Sequence, residues 1–301
     1  MAKPVFLFII LLSIVCTLHY LRTDPPWSRN AYVFYVTQDT YACSALINVF
    51  ILRHLFYTKY RIIILVSDEV STVYYEAFAN LGASVIEKDP PPLHSQSVAY
   101  YHGCLLKLVA FSLIDLKPPL ERIITMDADQ LILRDLDHAF DLPLTSVSAP
   151  KAYWIDNHTY SSTLMAFKPS QRLWDKVSGA MLSVPADTYD MDIMNRLFHD
   201  TFEELPGTYG TLNSHWEDNN TPTWFTSPED QRIKPTLDED LRELFTRVHV
   251  LHFTAVGKPW MYDVEELWAR RPEAHPILIE QWAFWRTSAL QLCPSDIIDH
   301  V

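Results

Sequence analysis

Short aliphatic segments alternate with helical segments from residue 31 to residue 126, and this alternation restricts the possible folds more than any other feature of the chain. The predicted strands are residues 31–36, 61–66, 84–87 and 122–126. The predicted helices between them are residues 41–56, 73–81 and 104–113. Strands that alternate with helices make right-handed crossovers, which build a mostly parallel sheet with helices on both faces. The sequence therefore predicts an α/β fold.

The second half of the chain has weaker patterns. Its predicted strands are residues 147–149, 164–167 and 248–253, and its predicted helices are residues 173–182 and 189–198. Residues 206–235 are rich in Pro, Asn and Thr, and they predict a long excursion over the surface rather than a separate domain.

Two carboxylates follow the predicted strand 122–126. Side chains alternate in extended backbone, so Asp127 and Asp129 project to the same side and can converge on one point. Two like charges held together repel unless a cation lies between them, which predicts half of a divalent-metal site. The alternative is that both acids are solvated residues that cap a helix at 135–140. In a parallel sheet, the loop at 37–41 and the two acids would share one crevice beyond the strand ends.

Length and charge limit the class of protein. A chain of 301 residues can bury one large core, and we expect a single catalytic domain at 31–301. The formal net charge of −13 makes nucleic acid an unexpected partner, because phosphate binding requires a cationic face. A metal ion or a locally placed lysine must then neutralise any phosphate that the protein binds.

The amino-terminal segment differs from the rest of the chain. Residues 5–18 are almost entirely apolar, and residues 19–21 extend this run before Arg22. No small-x-small cleavage pattern follows, so we expect an uncleaved signal anchor rather than a cleaved signal peptide. The predicted organisation is a cytoplasmic tip and membrane helix at 1–23, a stem at 24–30 and a luminal body.

The cysteines leave the disulfide pairing open. Cys16 lies in the apolar run, and Cys43, Cys104 and Cys293 permit at most one internal disulfide. No spacing among them resembles a zinc site. Sequons at Asn157 and Asn219 are compatible with a luminal body.

Three segments together resemble the glycogenin-like family 8 glycosyltransferases. They are residues 126–129 (Met-Asp-Ala-Asp), 135–140 (Asp-Leu-Asp-His-Ala-Phe) and 252–260 (His-Phe-Thr-Ala-Val-Gly-Lys-Pro-Trp). The last segment is the most specific, because it places Lys-Pro-Trp six residues after a histidine that ends a strand. The resemblance covers about residues 32–260, and a divergent fungal Golgi-type branch looks closer than glycogenin, which is soluble. It implies a GT-A fold with a Rossmann-like sheet, UDP-sugar donors, Mn²⁺ and retention of anomeric configuration.

The resemblance also implies a metal-binding set, which consists of Asp127, Asp129 and His252. Carboxylate and imidazole ligands with open positions for phosphate oxygens suit Mn²⁺. Without the two acids, His252 would be interpreted as an ordinary strand-end histidine.

Further positions match residues that contact the donor in the family. Lys258 would contact the diphosphate and stabilise the leaving group, and Lys107 would contact the donor. The alternatives are a solvated loop lysine at 258 and a snorkelling helix lysine at 107. Tyr41 offers a stacking surface for the base. The remaining implied donor-binding positions are Thr37, Gln38, Asp39, Ala128, Ser161, Ser162, Leu205, Tyr209 and Gly257.

The implied catalytic residues are Asp192, Asp190 as a weaker companion, and Lys258. The family has an Asp-Gln pair where this chain has Asp192-Ile193, so the acid is kept and the amide is lost. The alternative is that Asp192 caps a helix or interacts with its dipole. The family's Asn-Ser-Gly segment is also replaced, by residues 160–165, which leaves the sugar open. We expect attack by the acceptor on the leaving-group face, since no nucleophile is evident beside Asp192.

These features predict a type II Golgi membrane enzyme that transfers a hexose or N-acetylhexosamine from a UDP-sugar to a glycan. A sugar nucleotidyltransferase should have a Gly- and Lys/Arg-rich first loop, which residues 37–41 lack. An inactive sugar-nucleotide or glycan-binding relative and a glycogenin-like glucosyltransferase also remain compatible with the sequence.

Overall fold

The structure, a computed structural model, describes residues 28–144, 146–227, 229–230 and 236–294. The predicted anchor at 1–23 and most of the stem lie outside the described residues. Within the described ranges, no helix combines the length and apolar character needed to cross a membrane.

Among the residues that the structure describes, ten strands form two sheets. They are β1 Asn30–Val36, β2 Arg61–Val66, β3 Ser84–Glu87, β4 Arg122–Met126, β5 Gln130–Ile132, β6 Val147–Pro150, β7 Leu164–Phe167, β8 Phe202–Leu205, β9 Thr211–Leu212 and β10 Val250–His252. The central sheet has seven strands in the order β3-β2-β1-β4-β7-β6-β8. Its first four strands are parallel, β7 is antiparallel to both neighbours, and β6 pairs with β8 in parallel. The prediction of a mostly parallel α/β sheet is confirmed.

A second, three-stranded sheet has the order β5-β10-β9. β10 is antiparallel to β5 and parallel to β9. The prediction that residues 206–235 run over the surface is wrong in part, because Thr211 and Trp216 are fully buried and Leu212 is nearly so. The indole of Trp216 donates a hydrogen bond to the carbonyl of Leu241. A strand of two residues is too short to produce an alternating pattern, which is why the sequence did not reveal it.

The α-helices cover both faces of the central sheet. They are α1 Asp39–Phe50, α2 Thr72–Asn80, α3 Gln171–Met181, α4 Asp190–Phe198, α5 Ser214–Glu217, α6 Asp238–Arg247, α7 Val264–Arg270 and α8 Pro276–Leu292. The predicted helix at 41–56 is α1 followed by a π-helical turn, Ile51–Leu55. The predicted helix at 104–113 is a 3₁₀ helix, Cys104–Ser112, and a second 3₁₀ helix spans Asp137–Asp141.

Strand β1 shows how the sheet separates two cores. Tyr32 and Phe34 face the core that contains α1, α8 and the second sheet, whereas Ala31 and Val33 face the core that contains the 3₁₀ helix Cys104–Ser112 and α4. A strand buried on both faces has few polar residues, which explains why β1 consists of aliphatic and aromatic residues from Ala31 to Val36.

The carboxyl-terminal helix is attached covalently to α1. A disulfide joins Cys43 of α1 to Cys293, the residue after α8, and Cys104 is a free cysteine. The Trp285 indole on α8 also donates to the hydroxyl of Ser44, at 3.0 Å. The pairing that the sequence left open is therefore Cys43–Cys293.

Candidate active site

Two chain segments place the predicted acids at the carboxyl end of β4. The amide of Asp127 donates to the carbonyl of Thr163 at 2.9 Å, and the carbonyl of Asp129 accepts from the amide of Phe253 at 3.2 Å. Ala128 is buried between the acids. These backbone contacts hold the connection from β4 to β5 against the segment that precedes β7 and the end of β10.

Asp127, Asp129 and His252 form one cluster. One potential ligand atom from each of the three lies within 4.8 Å of the others. The Nε2 atom of His252 is 3.4 Å from Oδ2 of Asp129, while its Nδ1 atom is buried without a hydrogen-bond partner among the described residues. Two carboxylates and one imidazole are a donor set that suits a divalent cation such as Mn²⁺. The residues present therefore fit the ion that the resemblance implied.

Lys107 lies against one side of this cluster. Its Nζ atom is 2.6 Å from Oδ1 of Asp127 and 2.6 Å from Oδ2 of Asp190. The hydroxyl of Ser162 donates to the same Asp190 oxygen at 2.6 Å. Lys107 is 2% exposed, so the snorkelling alternative is wrong.

Lys258 lies on the other side of the acids. Its Nζ atom is 2.6 Å from Oδ2 of Asp129 and donates to the carbonyl of Phe253 at 2.5 Å. Lys258 is buried, so the solvated-loop alternative is also wrong. Gly257 has a φ of +123°, and a Cβ atom there would lie 2.9 Å from the sulfur of Met261. A glycine is therefore required to bring Lys258 to this position.

The two acids of the cluster have opposite pKa shifts. Burial raises the pKa of the Asp127 carboxyl, and the opposing attraction of Lys107 leaves it at about 6. Burial would also raise the pKa of Asp129, but Lys258 and His252 hold it well below its ordinary value. Both carboxyls are therefore charged at neutral pH and available as ligands.

The structure places Asp190, rather than Asp192, beside the acid cluster. Asp192 is exposed, and its carboxylate accepts a hydrogen bond from the amide of Tyr189 at 2.9 Å, as a residue that caps its own helix does. Asp190 is buried and bonded to Lys107 and Ser162, and these contacts lower its pKa although burial opposes them. The acid that lies in the site is therefore Asp190, because the first residue of α4 faces the sheet and the third faces solvent.

Few of the predicted donor-binding residues in the loop after β1, residues 37–41, lie near the two acids. Tyr41 contacts Trp260 edge-to-face at 5.1 Å between ring centroids, and burial together with the nearby Asp129 raises its pKa. Asp39 instead accepts hydrogen bonds from the amide and hydroxyl of Ser71, and Gln38 is exposed. The carbonyl of Thr37 accepts from the hydroxyl of Ser67. Tyr41 is thus the member of this group whose pKa the charge of Asp129 affects.

Three further predicted donor residues have contacts elsewhere. The hydroxyl of Ser161 is buried and bonded to Thr163. Leu205 packs in the core, and the hydroxyl of Tyr209 is 2.5 Å from Nε2 of His138. Within the part of the chain that the structure describes, no hydrogen bond or ion pair joins these side chains to the acids, so their donor-binding role stays a prediction.

Sequence reasoning missed residues that shape the site. Burial raises the pKa of Tyr35, with the charges of Asp127 and Asp190 as the next causes, and Nζ of Lys107 is 5.5 Å from the centre of the Tyr35 ring. The fully buried Asn213 accepts hydrogen bonds at Oδ1 from the amides of Thr254 (2.7 Å) and Ala255 (2.8 Å). Tyr35 could have been predicted as a site residue, because it lies one residue before the end of a predicted strand. Nothing in the sequence around Asn213 indicates its contacts.

Several characterised proteins are similar to this chain, although no protein-family model matches it. Glucose N-acetyltransferase 1 of Gibberella zeae is 25% identical over 266 residues, which are 82% of this chain and 56% of the relative. The protein of the same name from Aspergillus fumigatus is 26% identical over 282 residues, 85% of this chain and 70% of the relative. Galactinol synthase 2 of Solanum lycopersicum is 20% identical over 279 residues, 80% of this chain and 75% of the relative. The chain thus spans a little over half the length of the Gibberella protein.

Solved structures share the fold. The galactosyltransferase LgtC, in complex with donor and acceptor sugar analogs, superposes with a TM-score of 0.60 at 16% identity, over 90% of this chain and all of LgtC. The bifunctional glycosyltransferase WbbM superposes with a TM-score of 0.55 at 17% identity, over 84% of this chain and 51% of WbbM. The fold is therefore that of the GT-A class of glycosyltransferases. Within that class the chain is similar to the family 8 enzymes, with fungal proteins among its relatives, and this confirms the resemblance drawn from its motifs.

Proposed function

We propose that this chain is a metal-dependent, retaining glycosyltransferase that moves a hexose or an N-acetylhexosamine from a UDP-sugar to a glycan. One observation carries the proposal. The carboxylate and imidazole cluster of Asp127, Asp129 and His252 lies at the carboxyl end of β4 and is flanked by two buried lysines. This is the edge at which parallel α/β sheets bind their ligands. The names of the fungal relatives and of the galactinol synthase are compatible with these sugars.

Each residue of the cluster has a distinct part in this proposal. Asp127, Asp129 and His252 would hold the ion, which supplies positive charge to the diphosphate when bound. Lys258 contacts Asp129, so its ammonium group would lie near the diphosphate. There it would stabilise the negative charge that builds up as UDP departs. Burial excludes water from these charges and strengthens their interactions.

Asp190 is better suited to positioning the donor than to attacking it. Its carboxylate is held by the ammonium group of Lys107 and by the hydroxyl of Ser162. A carboxylate that is charge-paired and hydrogen-bonded is a weak nucleophile. This favours attack by the acceptor on the leaving-group face over a covalent intermediate at Asp190.

The activity is tested by UDP release from a panel of donors. The full chain is incubated with UDP-glucose, UDP-galactose, UDP-N-acetylglucosamine or UDP-N-acetylgalactosamine, with Mn²⁺ or with a chelator. We expect at least one donor to release UDP in Mn²⁺, little release in chelator, and little release by the Asp129→Ala variant. UDP binding without turnover of any donor would instead identify an inactive sugar-nucleotide-binding relative.

We also infer a luminal body attached to the Golgi membrane by residues 1–23. Two observations support this, the apolar run that begins at residue 5 and the disulfide Cys43–Cys293, because structural disulfides persist in oxidising compartments. In sealed microsomes the chain should resist added protease and should remain in the pellet after alkaline carbonate. A protease-sensitive cytosolic pool as the main form would contradict this placement.

A further inference from the structure

Three tyrosines form a strip of aromatic rings beside the acid cluster. Tyr100 is 62% exposed, Tyr101 is 42% exposed and Tyr189 is half-buried. The ring centroids of Tyr100 and Tyr101 are 5.1 Å apart, and those of Tyr101 and Tyr189 are 4.2 Å apart. Exposed apolar rings that lie together rather than singly are a feature of binding surfaces. We call these three residues the tyrosine strip.

The strip borders the acid cluster at both ends. Tyr189 directly precedes Asp190, whose carboxylate is bonded to Lys107. At the other end, Tyr100 is, after burial and Asp129, among the causes of the raised pKa of Tyr41, whose ring packs edge-to-face against Trp260. A molecule lying on the strip would therefore be next to the place where the proposed donor reacts.

Local contacts hold the strip in place. The backbone amide of Val98 donates to the hydroxyl of Tyr189 at 3.3 Å. Gly103, which ends this segment, has a φ of +82°, and a Cβ atom at this glycine would lie 2.5 Å from Cγ2 of Thr37. The backbone at Gly103 thus packs closely against Thr37, the residue that follows β1. A surface fixed before binding loses less entropy when a ligand arrives.

The chemistry of the strip points to a sugar ring. Its members carry an apolar face and a hydroxyl tip but no charge, and a pyranose offers the matching combination of an apolar C–H face and a hydroxyl edge. Three rings cover too little area for a stable protein interface, which buries roughly 800 Å² on each partner. We propose that the tyrosine strip binds a pyranose ring of the acceptor glycan, an inference that rests on the proposed glycosyltransferase function.

The test separates acceptor binding from donor binding. Tyr101→Ala removes the middle ring, which contacts the rings of Tyr100 and Tyr189. The matched control is Trp268→Ala, which removes another half-exposed aromatic residue, on α7. Calorimetry measures UDP affinity in Mn²⁺. UDP release is then measured with methyl glycosides of glucose, galactose, mannose and N-acetylglucosamine as the acceptor probes.

We expect at least one glycoside to stimulate UDP release by the wild type. Tyr101→Ala should raise the KM for that glycoside by roughly tenfold or more, with UDP affinity and Tm close to those of the wild type. Tyr101→Trp should restore the KM, and Trp268→Ala should leave it unchanged. A wild-type acceptor KM in Tyr101→Ala, or no stimulation by any glycoside, would overturn the role of the strip. Failure of the wild type to bind UDP would overturn the proposed function itself.

Discussion

Charge balance at the residue scale explains why the site can attract a cation. Three buried carboxylates meet two buried ammonium groups here: Asp127, Asp129, Asp190, Lys107 and Lys258. A buried charge costs several kcal/mol unless it is paired, so the lysines stabilise the acids when no ion is present. Lys107 is shared by Asp127 and Asp190, so one negative charge remains uncompensated. This residual charge favours a divalent cation and, with it, the phosphates of a nucleotide.

The contrast between Asp190 and Asp192 gives a paired prediction. Asp190→Asn removes one of the two carboxylates that hold Lys107, so we expect turnover to fall by about a hundredfold or more, as happens when a positioning group is lost. Asp192→Asn changes an exposed cap, so we expect near-normal turnover and a loss of stability of at most about 0.5–2 kcal/mol.

Steady-state turnover and thermal melting of both variants check this pair. A large loss of turnover in Asp192→Asn with an unchanged Tm would restore the role that the sequence suggested for that residue. Normal turnover in Asp190→Asn would remove Asp190 from the site.

Some individual residues of the site could be predicted from the sequence. Asp127 and Asp129 were found because they follow a run of strand-forming residues that includes Ile123 and Ile124, and His252 because it precedes an unusual Lys-Pro-Trp segment. The choice between Asp190 and Asp192 could not be made from the sequence. Both acids lie in the first turn of one helix, and what distinguishes them is Lys107, which is 83 residues away from Asp190.

At the scale of elements, the side chain of Asn213 holds the segment that carries Lys258 in position through hydrogen bonds. Asn213 follows β9, and its Oδ1 accepts from two amides of the segment after β10. Asn213→Ala leaves both amides without this acceptor, so we expect a loss of about 1–3 kcal/mol in the free energy of unfolding. We also expect weaker UDP binding in Mn²⁺, because Lys258 lies at the end of this segment.

Denaturant unfolding and calorimetry measure the two effects of Asn213→Ala. Asn213→Asp is the conservative control, since it keeps an oxygen acceptor at the same position. Unfolding and UDP binding that are both unchanged in Asn213→Ala would show that these hydrogen bonds do not position the segment.

How well each strand or helix could be predicted depended mainly on its length and on its apolar residues. Strands β1 to β4 matched their predicted limits closely. Strands β1, β2 and β4 are largely buried and rich in aliphatic or aromatic residues, whereas β3 is a short edge strand with partly exposed residues. β9 was missed because two residues carry no periodicity. The helix at 104–113 was placed correctly, but its form is a 3₁₀ helix. Nearly all of its residues are buried, so the pattern of apolar residues could not distinguish a 3₁₀ helix from an α-helix.

For the whole molecule, the disulfide closes nearly the entire catalytic body into a loop. Cys43 and Cys293 are separated by 250 residues. A cross-link of this span restricts the unfolded chain strongly, so we expect Cys293→Ala to lower the free energy of unfolding by about 2–5 kcal/mol. Dithiothreitol should lower wild-type stability by a similar amount, while Cys104→Ala should keep the disulfide and its mobility shift on a non-reducing gel. Unfolding that is insensitive to both reductant and Cys293→Ala would contradict this contribution.

We propose that two distant segments, one with Asp127 and Asp129 and the other with His252, would hold one ion that supplies positive charge to the donor diphosphate. If so, UDP and Mn²⁺ must strengthen each other's binding by the same factor. The most direct measurement is calorimetric titration of the full chain with UDP, in Mn²⁺ and in chelator. We expect much tighter binding in Mn²⁺, loss of that difference in Asp129→Ala and His252→Ala, and weaker but still metal-dependent binding in Lys258→Ala. Wild-type UDP affinity that is the same in Mn²⁺ and in chelator would contradict the claim.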